Sequence, residues 1–379
     1  MVRARLSCVR LLLAALLCAA AVAGCAVPAA PPADAGPAVR RAVADWAASP
    51  AGRPAGIPLE EWSYEVTSVR RSGPGAVAAA RLRYRLAGYD AVPDGGARAL
   101  DLAEDGGRWR VTADRPAPGA PAQPWDQGPV TVVRGAHALV LGTGQDRPLL
   151  EAVAELADRA VPDVSAAWPG PWPGRVVVLV PGSLEAMAAL LGRPAAEFRG
   201  LAAVTTAKVG GGAAPADRVV VNPEGWAQLS PDGRRIVLTH EVTHVATRIA
   251  TTARTPLWLS EGFADWAAYR GGDRPPAAAA PALAREVRGG RVPAALPADA
   301  EFSATGADPD ALARAYEGAW LACRSIAARW GDAALVRLYG AAGGQDLPAA
   351  VSRTLHTDLP DLLHTWHTAL RTDLGPPGA

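Results

Sequence analysis

The stretch SPDGRRIVLTHEVTHVATRIAT, residues 230–251, decides how this chain is read. Ser230 followed by Pro231 is a helix start, with serine as N-cap and proline in the first turn. The helix is expected to run to about Thr251 and contains His240-Glu241-Val242-Thr243-His244. Residues four apart share a helix face, so both imidazoles can reach one metal ion. Glu241 lies about 100° round from His240, beside such an ion rather than on it. A carboxylate there can take a proton from a water that the metal activates. Leu238, Val242, Val245 and Ile249 fall on the opposite side and are expected to face the core. With only 6 histidines in 379 residues, two of them sit in this pentapeptide. A chain of this composition would contain such a motif by chance about 0.003–0.004 times.

Two histidines do not hold a catalytic zinc, and a third protein ligand is needed. Downstream runs Pro256-Leu257-Trp258-Leu259-Ser260-Glu261-Gly262-Phe263-Ala264-Asp265-Trp266. HExxH followed by W-L-x-E-G-x-A resembles the gluzincin metallopeptidases, thermolysin-like and aminopeptidase-N-like enzymes and the broader peptidase-MA-like group, over roughly residues 200–335. The resemblance implies a zincin-like catalytic domain whose Zn2+ is held by His240, His244 and Glu261, with Glu241 as general base. The spacing from His244 to Glu261 is toward the short end for the family, which shortens the loop between the two helices. No H-x-x-G-x-x-H extension follows His244, which separates the chain from metzincins. By the same resemblance Asp265, four residues after Glu261, would bond the far nitrogen of a zinc histidine and fix its tautomer. Ala315-Tyr316-Glu317-Gly318 resembles a Tyr-x-x-Gly region, one residue shorter here, that would make Tyr316 a donor to the oxyanion. The exopeptidase signature Gly-x-Met-Glu-Asn is absent. Ala202–Thr206 lies in its place and offers no carboxylate for a free amino terminus, although an edge strand there can pair with an extended peptide. Endopeptidase action on a peptide or protein substrate is therefore preferred.

Outward from this region the chain divides into segments. Arg3, Arg5 and Arg10 precede an apolar run of about 12 residues, Leu11 to Val22, which is short for a bilayer span. It ends in Val22-Ala23-Gly24-Cys25, which resembles the lipobox of bacterial lipoproteins. The resemblance implies a signal peptide over 1–24, a lipid on Cys25, and residence on the extracytoplasmic face of the bacterial cell membrane. Residues 25–36 then form a Pro/Ala-rich tether, able to reach roughly 30–35 Å when extended. Cys8 and Cys18 leave with the leader and Cys25 is lipidated, so Cys323 is left without a disulfide partner. It is expected to be a small buried hydrophobe on a helix.

A helix at Pro37–Ser49 and strands at Ser63–Arg71, Ala76–Leu86, Ala97–Leu102 and Arg108–Ala113 suggest a small helix-plus-antiparallel-sheet domain over 37–114. That order resembles NTF2-like domains and is read as an accessory module. Residues 115–129 are Pro-rich and read as a linker. Residues 130–375 form the metallopeptidase domain: strands near 130–133, 137–141 and 175–180, a helix at about 146–167, short strands at 202–206 and 218–222 joined by Gly210-Gly211-Gly212, and helices from Ser230 onward. The fold class is thus α+β, with a mixed sheet and a mostly helical carboxy-terminal part.

The charge balance excludes other classes. Lys plus Arg is 38 and Asp plus Glu is 37, a net charge of +1, with no basic bias toward nucleic acid. Mean hydropathy is +0.07, too low for a polytopic membrane protein. The expected partners are a substrate peptide and the membrane reached through the lipid, with the chain a monomer. Two other readings stand beside the peptidase: a catalytically silent zincin-fold lipoprotein acting as a binding or scaffold module, and a peptidoglycan-peptide hydrolase.

Overall fold

The computed structural model of the chain describes residues 36–206, 216–303 and 309–376. Cys25 with the leader, nearly all of the tether and the Gly210–Gly212 run lie outside the described residues. The chain is α+β: an antiparallel sheet comes first, then a mixed sheet and a helical region. Among the described residues, no helix is long and apolar enough to cross a membrane.

Helix α1 (Gly36–Ala48) lays Val39, Val43 and Ala47 against the first sheet, one residue per turn on a single face. The sheet is a meander of β1 (Leu59–Ser72), β2 (Gly75–Leu86), β3 (Asp94–Asp105) and β4 (Arg108–Pro116). Strand β2 shows why it forms. Ala76, Ala78, Ala80, Leu82, Tyr84 and Leu86 are buried, while Ala79, Arg81 and Arg83 between them are exposed. That is the period of a pleated strand with one wet face. The β3–β4 turn uses Gly106 and Gly107 at φ of 56° and 77°, the left-handed pair that a tight hairpin requires.

The Pro-rich stretch after β4 is pinned to this sheet. The buried guanidinium of Arg98 donates from Nε to Asp114 Oδ1 at 2.8 Å and from both terminal nitrogens to Asp126 at 2.7 Å. Asp126 also accepts the Gln123 amide at 2.7 Å.

The second sheet has the order β5-β6-β7-β9-β8, from β5 (Val130–Arg134), β6 (Ala138–Thr143), β7 (Val176–Val180), β8 (Ala203–Thr205) and β9 (Val219–Val221). Its centre, β6-β7-β9, is parallel, and antiparallel β5 and β8 form the edges. Both β6 and β7 are buried throughout, as continuous apolar runs should be when both faces are covered. Alternate residues enter different cores. Val140, Val178 and Val221 join helix α2 (Arg147–Ala167). Leu139, Leu141, Val177, Leu179 and Val220 join Leu82, Tyr84 and Leu86 of the first sheet, with Leu184 and Met187 of α3 (Leu184–Leu191). The amino-terminal sheet therefore closes the second face of the mixed sheet. A buried ion pair crosses the same junction: Arg218 donates to Asp90 at 2.6 and 2.7 Å.

The helical region comprises α4 (Pro223–Ala227), α5 (Pro231–Thr247), α6 (Leu257–Tyr269), α7 (Pro276–Ala279), α8 (Pro281–Arg288), α9 (Pro309–Trp330), α10 (Asp332–Ala342), α11 (Leu347–Leu355) and α12 (Leu359–Leu374). Helix α5 lies among α2, α6 and edge strand β8. Two expectations need correction. The regular helix stops at Thr247, short of Thr251. Ile249, expected in the core, is therefore off the helix face and 60% exposed, whereas Leu238 and Val242 are fully buried.

Removing the Arg98 guanidinium would leave the Asp114 and Asp126 carboxylates, only 15% and 11% exposed, without their partner. Arg98→Met should lower unfolding stability by about 3–5 kcal/mol, read from urea midpoints at constant m-value. A loss under about 1 kcal/mol would show that these pairs do not hold the segment.

Candidate metal centre

Helix α5 begins where the sequence placed it: Ser230 Oγ accepts the Gly233 amide at 3.1 Å. The helix also carries buried Thr239, Thr243 and Thr247. Their hydroxyls donate to the carbonyls four residues back, of Arg235, Thr239 and Thr243, at 2.9, 2.8 and 3.0 Å. Each polar group is satisfied by its own helix, so threonine is tolerated at an interior position. His240 and His244 lie on the side of the helix away from the buried Leu238 and Val242.

Helix α6 is oriented by its own sequence. Trp258, Leu259 and Phe263 are buried in the core. Gly262 sits against α9, where an added Cβ would lie 2.2 Å from the Ala319 carbonyl oxygen and 3.0 Å from Cys323 Sγ. Only glycine permits this backbone approach. Cys323, fully buried as expected, is part of the surface that Gly262 packs on. With that face fixed, Glu261 and Asp265, four residues apart, point toward α5.

The donors form a compact triangle. His240 Nε2 and His244 Nε2 are 3.0 Å apart, and Glu261 Oε2 lies 3.3 Å and 3.5 Å from them. Two ligands each 2.0–2.1 Å from a tetrahedral ion stand about 3.3 Å apart, so the triangle has the size of one face of a zinc tetrahedron. Among the described residues, the donor set consists of these three. Asp265 Oδ1 accepts from His240 Nδ1 at 2.8 Å, so that a neutral His240 would aim its Nε2 lone pair at the centre.

The electrostatics suit a cation. Burial opposes charge on His240, but Asp265 and Glu261 outweigh it and hold the imidazole well above its ordinary value. Burial would raise Glu261, but the charge of His244 and hydrogen bonds from both histidines hold its carboxyl well below the usual range. Two carboxylates thus favour positive charge at the triangle, which is what a divalent ion supplies.

Glu241 points into the same cleft. Its Oε2 accepts from Thr205 Oγ1, on edge strand β8, at 2.7 Å. Thr205 was not singled out from the sequence, where it is one polar residue at the end of a short apolar strand. Tyr316, on α9, also lines the cleft and packs edge-on to Phe302 with ring centroids 5.2 Å apart. Burial first, then the charges of Glu261, Asp265 and Glu241, push its phenol up, so it stays a protonated donor. Its neighbour Glu317 turns away and accepts the amides of Ala282 and Leu283 at the start of α8, at 3.2 and 2.6 Å. The cleft is an open cavity of about 600 Å³, bounded by β8, α5 and α6 and lined around the triangle by Val204, Ile236, Val237 and Leu257.

No family model matches this chain, and no curated protein matches it. Among solved structures it is similar to an M1 zinc metallopeptidase from Deinococcus radiodurans, at 18% identity over 73% of this chain and 59% of that one, with a TM-score of 0.36. A mutant of an M1 zinc metallopeptidase from Deinococcus radiodurans bound to a Tyr-Ser-Ala substrate matches at 17% identity over 80% of this chain and 62% of that one, with a TM-score of 0.34. A two-domain M1 zinc metallopeptidase mutant bound to L-arginine matches at 16% over 73% and 60%, with a TM-score of 0.37. The chain spans about 60% of the length of these structures.

Gly262→Val should force α6 off α9 and carry Glu261 with it. Zinc affinity, measured by competition with a chromophoric chelator, should fall about 10–100-fold, and stability should drop by about 1–3 kcal/mol. Unchanged affinity would mean that the α6–α9 contact does not set the triangle.

Proposed function

We propose that the chain is a zinc metallopeptidase that hydrolyses peptide bonds in the cleft between β8 and α5. The observation that carries this reading is the three-donor triangle of His240, His244 and Glu261, 3.0–3.5 Å on a side, with the Glu241 carboxylate next to it in an open cleft. His240, His244 and Glu261 would hold Zn2+, and Asp265 would keep His240 in the tautomer that ligates. When bound, zinc supplies Lewis acidity, polarising a carbonyl and lowering the pKa of water to about 7. Glu241 takes a proton from the attacking water and passes it to the leaving amine. Tyr316, held protonated, donates to the oxygen that gains charge as the carbonyl becomes tetrahedral.

Strand β8 is an edge strand and its residues line the cleft, so an extended peptide could add to it by main-chain hydrogen bonds. This arrangement favours internal cleavage of a chain over removal of one terminal residue. The lipid on Cys25, in this reading, keeps the enzyme on the extracytoplasmic face of the membrane. Three protein ligands rather than four among the described residues, with an open cleft, favour turnover over a silent scaffold.

Glu241→Gln should retain one zinc per chain and lose peptide hydrolysis by a factor of about 10²–10⁴. The pair to measure is elemental zinc content and cleavage of a fluorescence-quenched peptide pool. Absence of metal in chelator-free protein, or full hydrolysis by the variant, contradicts the reading. Cys25→Ser should move the protein from the membrane fraction to the soluble one, and a variant that stays membrane-bound would refute lipid anchoring.

A further inference from the structure

Thr205 links the edge strand to the general base. Its hydroxyl lies 2.7 Å from Glu241 Oε2 and 3.1 Å from the Glu241 carbonyl oxygen. A threonine hydroxyl has one proton, and the shorter contact to the charged acceptor takes it. Threonine is β-branched and stiff at χ1, so once β8 is placed its hydroxyl has little freedom. The bond engages one oxygen of Glu241 and leaves the other for proton transfer. The position of the general base is therefore set by the position of β8.

Strand β8 is only three residues long and pairs on one side, with β9. Its register is locked just beyond its end. The Thr206 amide donates to the Arg218 carbonyl at 2.9 Å, and the Arg218 amide donates to Thr206 Oγ1 at 2.9 Å. The Arg218 guanidinium in turn grips Asp90, in the β2–β3 connection of the amino-terminal sheet, at 2.6 and 2.7 Å. The Asp90 side chain is 1% exposed and that of Arg218 6%, and Asp90 also accepts the Leu86 amide at 2.8 Å. A bidentate pair this buried is rigid, because breaking it would strand a charge.

Resting on the peptidase reading above, we infer that Thr205 is a positioning residue for Glu241, and that the amino-terminal sheet holds it in place through Asp90, Arg218 and Thr206. The accessory module is thus part of the catalytic apparatus, bracing the strand on which both the base and the substrate main chain depend. A peptide that pairs with β8 meets a base already aligned to that strand.

Thr205→Val keeps the shape and removes the proton. In the full-length protein, assayed on the fluorescence-quenched peptide pool, kcat should fall about 10–100-fold while KM stays within about twofold and zinc content is unchanged. Thr205→Ser, which restores the donor, should recover most of the loss. Unchanged kcat in the valine variant, loss of zinc, or failure of serine to rescue would each overturn the role of Thr205. Asp90→Asn keeps the shape and weakens the grip. Amide hydrogen exchange at residues 203–206 should quicken while 238–242 of α5 keeps its protection. Equal exchange at 203–206 in variant and parent would overturn the bracing role. If Glu241→Gln is inactive while Thr205→Val is fully active, this inference alone fails. If Glu241→Gln is active, the peptidase reading itself falls.

Discussion

Everything in the cleft depends on two helices being close enough for three donor atoms to share one centre. The contact that sets this is the backbone approach of α6 to α9 at Gly262, with no room for a side chain between them. It fixes α6 in depth and rotation. Glu261 then reaches the Nε2 atoms of both histidines, and Asp265, one turn on, reaches the other side of His240. Converging two imidazoles and two carboxylates in a half-buried space is costly unless a positive charge sits among them. The raised His240 and the lowered Glu261 express that demand for charge.

A second constraint comes from the other side of the mixed sheet. Leu139, Leu141, Val177 and Leu179 would face water if the amino-terminal sheet did not cover them with Leu82, Tyr84 and Leu86. Burying such residues is worth about 1.5–3 kcal/mol each, so the two sheets are bound together by more than a tether. The Asp90–Arg218 pair adds direction to that attraction, because a bidentate pair allows one registration. The edge of the sheet that borders the cleft inherits this rigidity.

Much of this was legible in the sequence where a single periodicity carries the information. His240 and His244, and Glu261 and Asp265, are four apart on helices, so shared faces follow from helix geometry alone. The alternation in 76–86 and the apolar run in 176–180 likewise announce one wet face and two dry ones. What stayed hidden depends on partners remote in the chain. Thr205 matters only because β8 packs on α5, and nothing local marks it. Residues 115–129 have a linker's composition, yet Asp126 is tied to Arg98, a contact that no pattern encodes. Ile249 has the right periodicity for the core, but the helix ends two residues before it.

The central claim is that His240, His244 and Glu261 form the protein part of a single zinc site. Zinc K-edge X-ray absorption on full-length protein purified without chelator tests it most directly. The account predicts one zinc per chain, four-coordinate, with two imidazole nitrogens and oxygen ligands at about 2.0–2.1 Å, and loss of one imidazole shell in His244→Ala. A spectrum without imidazole scattering, or one unchanged by that substitution, would contradict it.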